Sequence, residues 1–152
     1  MQRWGANYWE DFFRPKIVWK RIGSILRFSY DDKGFLSLDS TCFATGEHIK
    51  FLVALLNSTM GHYLLNDAPK TGTGDLLVSV QAVEPILVPP INVKREKELE
   101  KLIAQFIEFQ NCNRSTVDIE SKIDDIIFDL YSLEIDEINF LKSVFHCSKL
   151  FQ

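Results

Sequence analysis

Basic side chains are concentrated near the start of this 152-residue chain. Lysine offers a point charge to a phosphate, whereas the planar guanidinium of arginine also forms paired hydrogen bonds with the edge of guanine. The chemistry that this segment predicts is therefore binding of nucleic acid. Between positions 14 and 27 there are five basic residues and no acid: Arg14, Lys16, Lys20, Arg21 and Arg27.

The positive charge is local, because the formal net charge of the whole chain is −4. Residues 1–35 carry seven basic and four acidic side chains, residues 36–93 carry two and five, and residues 94–152 carry eight and twelve. Local potential governs the attraction of phosphates more than net charge does. The pattern predicts that DNA binds on one side of the protein, through the basic segment.

Strand alternation predicts how the basic residues are presented. If residues 16–22 form a strand, successive side chains point to opposite faces. Lys16 and Lys20 then face outward together, where they would contact phosphates. Arg21 and Arg27 are better shaped for reading guanine if they reach a groove. An ordinary solvated strand surface explains the same residues, so that alternative stays open.

A second candidate DNA contact is the loop at residues 66–75, which contains Pro and two Gly. Lys70, Thr71 and Thr73 would touch the DNA backbone if this loop orders on binding. A nucleotide-binding loop would need Gly, four residues and then Gly-Lys-Ser/Thr before a helix, and that order is absent. The alternative is a mobile surface loop.

The sequence predicts neither a metal site nor a catalytic site. Its histidines and cysteines lack the spacing of metal ligands, and three widely spaced thiols indicate reduced, buried cysteines in the cytoplasm. No apolar run approaches the roughly 18 residues that cross a bilayer, so no membrane partner is expected. These histidines and cysteines are His48, His62, His146, Cys42, Cys112 and Cys147.

The elements that must position the basic residues indicate an α+β fold. An apolar content of 46% and a charged content of 25% are typical of a globular protein with a core. We expect a β-rich recognition lobe at residues 1–91 with an inserted helix, and a helical tail at 92–152 made of a helical hairpin and a short last helix; the two parts alternatively count as one domain. Apolar spacing predicts strands at 16–22, 25–30 and 35–43, two short strand-like pieces within 76–91, and helices at 48–60, 94–111, about 115–130 and 135–146.

Five segments follow one another along the chain in the order PKIVWKRIG, FSYDDKGF, LDSTCFATG, IKFLVALLNS and IDDIIFDLYSLEIDEI. Together they resemble the TaqI-like specificity domain, with a resemblance that extends from about Tyr8 to Phe145. This domain is the C-terminal, target-recognising part of bacterial adenine-specific DNA methyltransferases and of fused restriction–modification enzymes. At Ser132 the family commonly has glycine, and Asn57 matches a family Asn that is expected to satisfy backbone groups at a helix end.

The resemblance implies a recognition domain without a catalytic site. A methyltransferase of this kind needs a glycine-bearing loop for S-adenosylmethionine and an Asn/Asp-Pro-Pro-Tyr/Phe motif. The chain has neither, since its Pro89-Pro90 pair lies between Val88 and Ile91. The implied partners are double-stranded DNA and an N-terminal methyltransferase domain of the parent protein, which would use S-adenosylmethionine and is in some cases fused to an endonuclease. The helical tail at 92–152 would pack on the recognition lobe or on that missing catalytic domain. The alternative function is a protein-interaction module of a restriction–modification complex that acts through the helical tail.

Overall fold

The protein was analysed as a computed structural model, which describes residues 8–36 and 40–145. Helices and strands are both present, so the expected α+β class is confirmed. The elements are α1 (Tyr8–Asp11), β1 (Lys16–Lys20), β2 (Ile22–Gly23), β3 (Phe28–Asp31), β4 (Thr41–Thr45), α2 (Ile49–Asn57), α3 (Thr59–Leu64), β5 (Leu76–Leu77), α4 (Val80–Val83), α5 (Val93–Asn111), α6 (Val117–Leu130) and α7 (Ile135–Phe145).

The main sheet is antiparallel, with β1 between the edge strands β3 and β4. Trp19 of β1 lies opposite Phe28 of β3, and their ring centroids are 5.6 Å apart. Because side chains alternate along a strand, the inner face of β1 presents Ile17 and Trp19 to helix α2. One buried cluster results, and it contains Ile17, Trp19, Leu26, Phe28, Ile49, Val53, Leu56, Leu65 and Val78.

The side chain of Asn57, the last residue of α2, fastens this helix to the sheet. Its amide nitrogen donates to the carbonyl oxygens of Phe28 (2.7 Å) and Val53 (3.0 Å), and its oxygen accepts from the Phe28 N–H (3.0 Å). Asn57 thus occupies the place that a further strand would take beside β3. The expectation that it satisfies backbone groups at a helix end is confirmed.

The helix expected at residues 48–60 is broken at Ser58, which has extended backbone angles. The Ser58 hydroxyl donates to the Leu55 carbonyl (2.6 Å) and accepts from the Gly61 N–H (3.1 Å), so it ends one helix and begins the next. A Cβ atom at Gly61 would lie only 2.2 Å from the Leu55 oxygen. Glycine is therefore required for the close approach of α2 and α3.

Helices α5, α6 and α7 pack on the other side of α2 and on α3. Asp124 of α6 accepts hydrogen bonds from the Thr59 N–H (2.9 Å) and hydroxyl (2.5 Å), and burial raises the pKa of this carboxyl despite those bonds. The helical region is thereby tied to the N-terminus of α3. The shared cluster contains Phe51, Ala54, Leu55, Met60, Leu99, Phe106, Ile119, Ile123, Ile126, Ile127, Phe128 and Leu141.

Other expectations about local structure are also wrong. Only β5 is a strand within residues 76–91; the chain then forms the short helix α4 and a segment without strand structure. Prolines at 85, 89 and 90 cannot donate to a ladder, which explains why a second strand does not form. In addition, Cys112 is exposed and Cys42 is half-buried, so the expectation that the cysteines are buried is wrong for these two.

Ser132, where the family commonly has glycine, adopts a left-handed backbone with φ 54°. Its N–H donates to the Asp129 carbonyl (3.0 Å), and the Leu133 N–H donates to the Phe128 carbonyl (3.1 Å). This pair of bonds is the Schellman arrangement at a helix C-terminus, in which glycine is preferred because it lacks Cβ. Serine maintains the same arrangement here at some conformational cost.

We therefore expect Ser132→Gly to raise the free energy of unfolding by about 0.5–1 kcal/mol, because the left-handed strain is relieved. The matched control is Ser121→Gly in the interior of α6, which should lower it by a similar amount. Urea unfolding followed by Trp fluorescence measures both. Destabilisation of the same size in the two variants would contradict this account of Ser132.

Candidate nucleic-acid interface

The five basic residues of the 14–27 segment have different environments. Lys20, Arg21 and Arg27 are exposed, whereas the Lys16 side chain is completely buried. Arg14 is exposed and lies 3.4 Å from the Asp11 carboxylate of its own segment. The basic segment is therefore not one continuous cationic surface.

The expectation that Lys16 faces outward beside Lys20 is wrong. The Lys16 Nζ lies 2.6 Å from the Asp31 Oδ2 and donates to the Phe12 carbonyl at 2.6 Å. Both lysines are on the same face of β1, as alternation requires, but the segment that follows α1 covers the Lys16 end. The Phe12 ring lies 4.8 Å from the Phe43 ring of β4, which closes that end of the face.

The buried Lys16–Asp31 pair organises the turn after β3. Asp31 accepts hydrogen bonds from the N–H groups of Lys33 (2.8 Å) and Phe35 (2.9 Å). Burial raises the pKa of Asp31, but the hydrogen bonds from Lys16 and Lys33 and the Lys16 charge outweigh it and hold this pKa below its ordinary value. The function of Lys16 in this structure is to neutralise a buried carboxylate.

The opposite end of the same sheet face is open and contains the candidate site. Lys20 and Arg27 line a groove of about 540 Å³ there. The strand register explains why residues of three strands line one groove, because Lys20 lies opposite Thr41 of β4 and Val18 lies opposite Ser29 of β3. The other lining residues are Val18, Trp19, Gly23, Ser24, Ile25, Ser29 and Thr41.

Sequence reasoning missed the hydroxyl groups of this site, which belong to Ser24, Ser29 and Thr41. Ser24 lies in the connection between β2 and β3, and the pairing of β1 with β3 and β4 brings Ser29 and Thr41 to the same groove. Thr41 begins β4 in the LDSTCFATG segment, but the register that places it beside Lys20 is a tertiary property. No spacing rule in the sequence would have indicated it.

Arg21 is exposed but does not line the groove. It lies at the bend between β1 and β2, where its N–H donates to the Ser40 carbonyl (3.0 Å) and its carbonyl accepts from the Val78 N–H (2.8 Å). Its backbone thus holds together three parts of the chain. Its guanidinium remains a candidate DNA contact beside the groove.

The loop at residues 66–75 ends in a hydrogen-bonded turn. Lys70 pairs with Leu76, and Leu76 pairs in turn with Gly23 of β2. Two ladder spacings of about 4.8 Å place the Lys70 backbone about 10 Å from Gly23, a residue that lines the groove. Lys70 is exposed and is the basic residue of this loop.

The other two candidates in this loop bond within the turn. The Thr71 hydroxyl accepts from the Asp75 N–H (3.1 Å), and the Thr73 hydroxyl donates to the Asp75 carboxylate (3.1 Å). These bonds satisfy the turn internally, so Thr71 and Thr73 lie beside a negative charge. A phosphate is repelled there, which makes Lys70 the stronger candidate of the three.

The structure offers no alternative metal or membrane site in the part of the chain it describes. No group of three or more His, Cys, Asp or Glu among residues 8–36 and 40–145 could hold a metal ion. His48 bonds to Glu96 (2.7 Å) through its Nδ1, and His62 is largely buried; His146 and Cys147 lie outside the described residues. Within those same ranges, every helix is too short or too polar to cross a membrane.

We expect Lys16→Met to lower the free energy of unfolding by about 3 kcal/mol, because it leaves the Asp31 carboxylate buried without its cation. The control is Lys20→Met, four residues along the same strand face. Since Lys20 is exposed, its loss should change stability by no more than about 0.5 kcal/mol. Chemical denaturation at pH 7 measures both variants, and equal effects would contradict the opposite environments assigned to the two lysines.

The depressed pKa of Asp31 predicts a pH dependence. A carboxyl whose pKa is lower in the folded chain than the roughly 3.9 of the unfolded chain stabilises the fold above that value, and the contribution is lost as the pH falls through the folded pKa. The stability difference between wild type and Asp31→Asn should therefore be largest above about pH 5 and shrink below about pH 3.9. A constant difference from pH 6 to pH 3 would contradict this.

Comparison with known proteins agrees with these features. The family model described as the TaqI-like C-terminal specificity domain matches residues 2–77, a range that includes the whole groove and the loop that carries Lys70. This range is shorter than the resemblance from Tyr8 to Phe145, and α5, α6 and α7 lie beyond it. No curated protein matches the chain. The chain belongs to the TaqI-like C-terminal specificity domain family.

Proposed function

We propose that this chain recognises a specific sequence in duplex DNA and positions it for an adenine-specific methyltransferase domain of the parent protein. The observation that carries the proposal is that Lys20 and Arg27 line one groove at the open end of the sheet, within the region that matches a specificity-domain family. The methyltransferase domain would use S-adenosylmethionine. It would transfer a methyl group to the N6 of adenine, and in a fused enzyme it would work beside an endonuclease.

In this proposal, some residues of the groove contact the DNA backbone and others contact the base edges. Lys20 and the nearby Lys70 supply point charges that suit phosphates, which set the position and orientation of the protein on the duplex. Arg27 supplies the forked guanidinium that suits guanine, and the exposed hydroxyls of Ser24 and Ser29 accept or donate hydrogen bonds as a base edge requires. Recognition of a DNA sequence needs cations for the phosphates, hydrogen-bonding groups for the base edges and an open groove that admits the duplex.

A recognition chain is needed because adenine N6 cannot be attacked inside a base stack. Enzymes that modify bases rotate the target nucleotide out of the duplex, which costs a few kcal/mol of unpairing and unstacking. Contacts to the surrounding duplex hold it in register while the base leaves. In this proposal the chain holds the duplex and the methyltransferase domain performs the chemistry.

Removal of the two groove cations should weaken DNA binding. We expect Lys20→Ala/Arg27→Ala to lower the affinity for a cognate duplex by about 10- to 100-fold, with a plot of log K against log salt that is shallower by about 1 to 2. Fluorescence anisotropy from 50 to 250 mM salt measures both quantities. The cognate duplex is first obtained by selection from a random library with the wild-type chain.

The matched control removes the same charges elsewhere. Arg114→Ala/Lys122→Ala changes two exposed basic residues of the helical region and should leave affinity and salt dependence close to wild type. The proposal fails if wild type binds no duplex, or if both double variants weaken binding equally. Methyl transfer from labelled S-adenosylmethionine by this chain alone would overturn the assignment of catalysis to another domain.

A further inference from the structure

An exposed aliphatic side chain lines the groove together with the two cations. Ile25 is 59% exposed, and it lines the groove together with Lys20 and Arg27. A single exposed apolar residue is common on protein surfaces. Ile25 differs from such a residue because it lies inside a groove whose other exposed groups are charged or carry hydroxyls.

The backbone on both sides of Ile25 is fixed. Gly23 pairs with Leu76 of β5, and a Cβ at Gly23 would lie 3.4 Å from the Ile25 carbonyl oxygen. On the other side Leu26 is buried, and Phe28 is held by Asn57. The connection from Ser24 to Arg27 has four residues, so the turn cannot carry the Ile25 side chain into the core.

The side chain is also restricted in itself. Isoleucine is branched at Cβ, which leaves few χ1 rotamers, so little conformational entropy is lost when it is buried against a ligand. Removal of a rigid apolar group from water by contact with a partner is favourable. The partner must offer an apolar surface close to negative charge, because Lys20 and Arg27 line the same groove as Ile25.

We infer that Ile25 contacts the C5-methyl group of a thymine in the recognised site, and that it makes the chain selective for thymine at that position. The inference rests on the proposed function and adds a base contact to it. In duplex DNA the thymine methyl is the apolar group of the major groove, and the phosphates of both strands border that groove. Ile25 forms no hydrogen bond with its side chain, so its contribution to specificity is shape and removal of water.

The test removes one methyl group from each partner. In the selected cognate duplex each thymine is replaced singly by deoxyuridine, and binding is measured for wild type and for Ile25→Ala. At one position we expect wild type to lose about fourfold in affinity, which corresponds to one buried methyl. Ile25→Ala should bind the thymine duplex at least fourfold more weakly, and deoxyuridine at that position should weaken it no further.

Two measurements separate this contact from a general loss of binding. The salt dependence of Ile25→Ala should equal that of wild type, because no charge is removed. The matched control is Ile135→Ala, an isoleucine 66% exposed at the start of α7, which should bind the thymine duplex like wild type. Denaturation curves of both variants check that folding is unchanged.

The outcomes distinguish the inference from the proposed function. If wild type binds no duplex, both fail. If binding depends on Lys20 and Arg27 but deoxyuridine affects wild type and Ile25→Ala equally at every position, the thymine contact is overturned and the proposed function stands. Weaker binding by Ile25→Ala with no deoxyuridine effect in wild type also overturns it, and indicates insertion between base pairs instead.

Discussion

The rest of the fold depends on the side-chain amide of Asn57. This one group bonds to both backbone groups of Phe28 and to the Val53 carbonyl, all inside the protein. Without it, buried donors and acceptors would remain unpaired, at about 1–3 kcal/mol each. Because Phe28 begins β3, the same bonds fix the end of the connection that carries Arg27 into the groove. The next residue, Ser58, ends α2 and turns the chain into α3.

The outer face of the sheet has a buried ion pair at one end and the proposed DNA-binding groove at the other. Lys16 and Lys20 are of the same residue type and lie on the same face, yet the segment after α1 covers one and leaves the other open. A buried ion pair is weak support for stability in itself, since desolvation offsets much of the attraction. The pair instead fixes the local geometry. Asp31 accepts hydrogen bonds within the 31–35 turn, and Lys16 donates to the Phe12 carbonyl, so the segment that covers this end of the sheet is held in place. The groove begins where that cover stops.

Sequence reasoning predicted the helices best, because their apolar spacing is long and regular. The helix expected at 94–111 is observed as Val93–Asn111, and that at 135–146 as Ile135–Phe145. The break at Ser58 was missed because it depends on a close approach at Gly61. The burial of Lys16 was missed because alternation along a strand does not reveal what covers its face. The groove itself required the register of β1 with β4, which no local pattern encodes.

Helix α2 connects the sheet that bears the groove to the helical region, because α2 is packed on both sides. Ile49, Val53 and Leu56 face the sheet, whereas Phe51 and Leu55 belong to the cluster formed with α5, α6 and α7. A sheet of three short strands needs a packed apolar face to be stable, and base reading would need side chains held within a fraction of an ångström. The matched family region ends at residue 77, so it includes α2 but not the helices that cover Phe51 and Leu55. Those helices therefore support the sheet that bears the groove, through α2. The hydrogen bonds between Asp124 of α6 and Thr59 of α3 fix the position of these helices relative to α3.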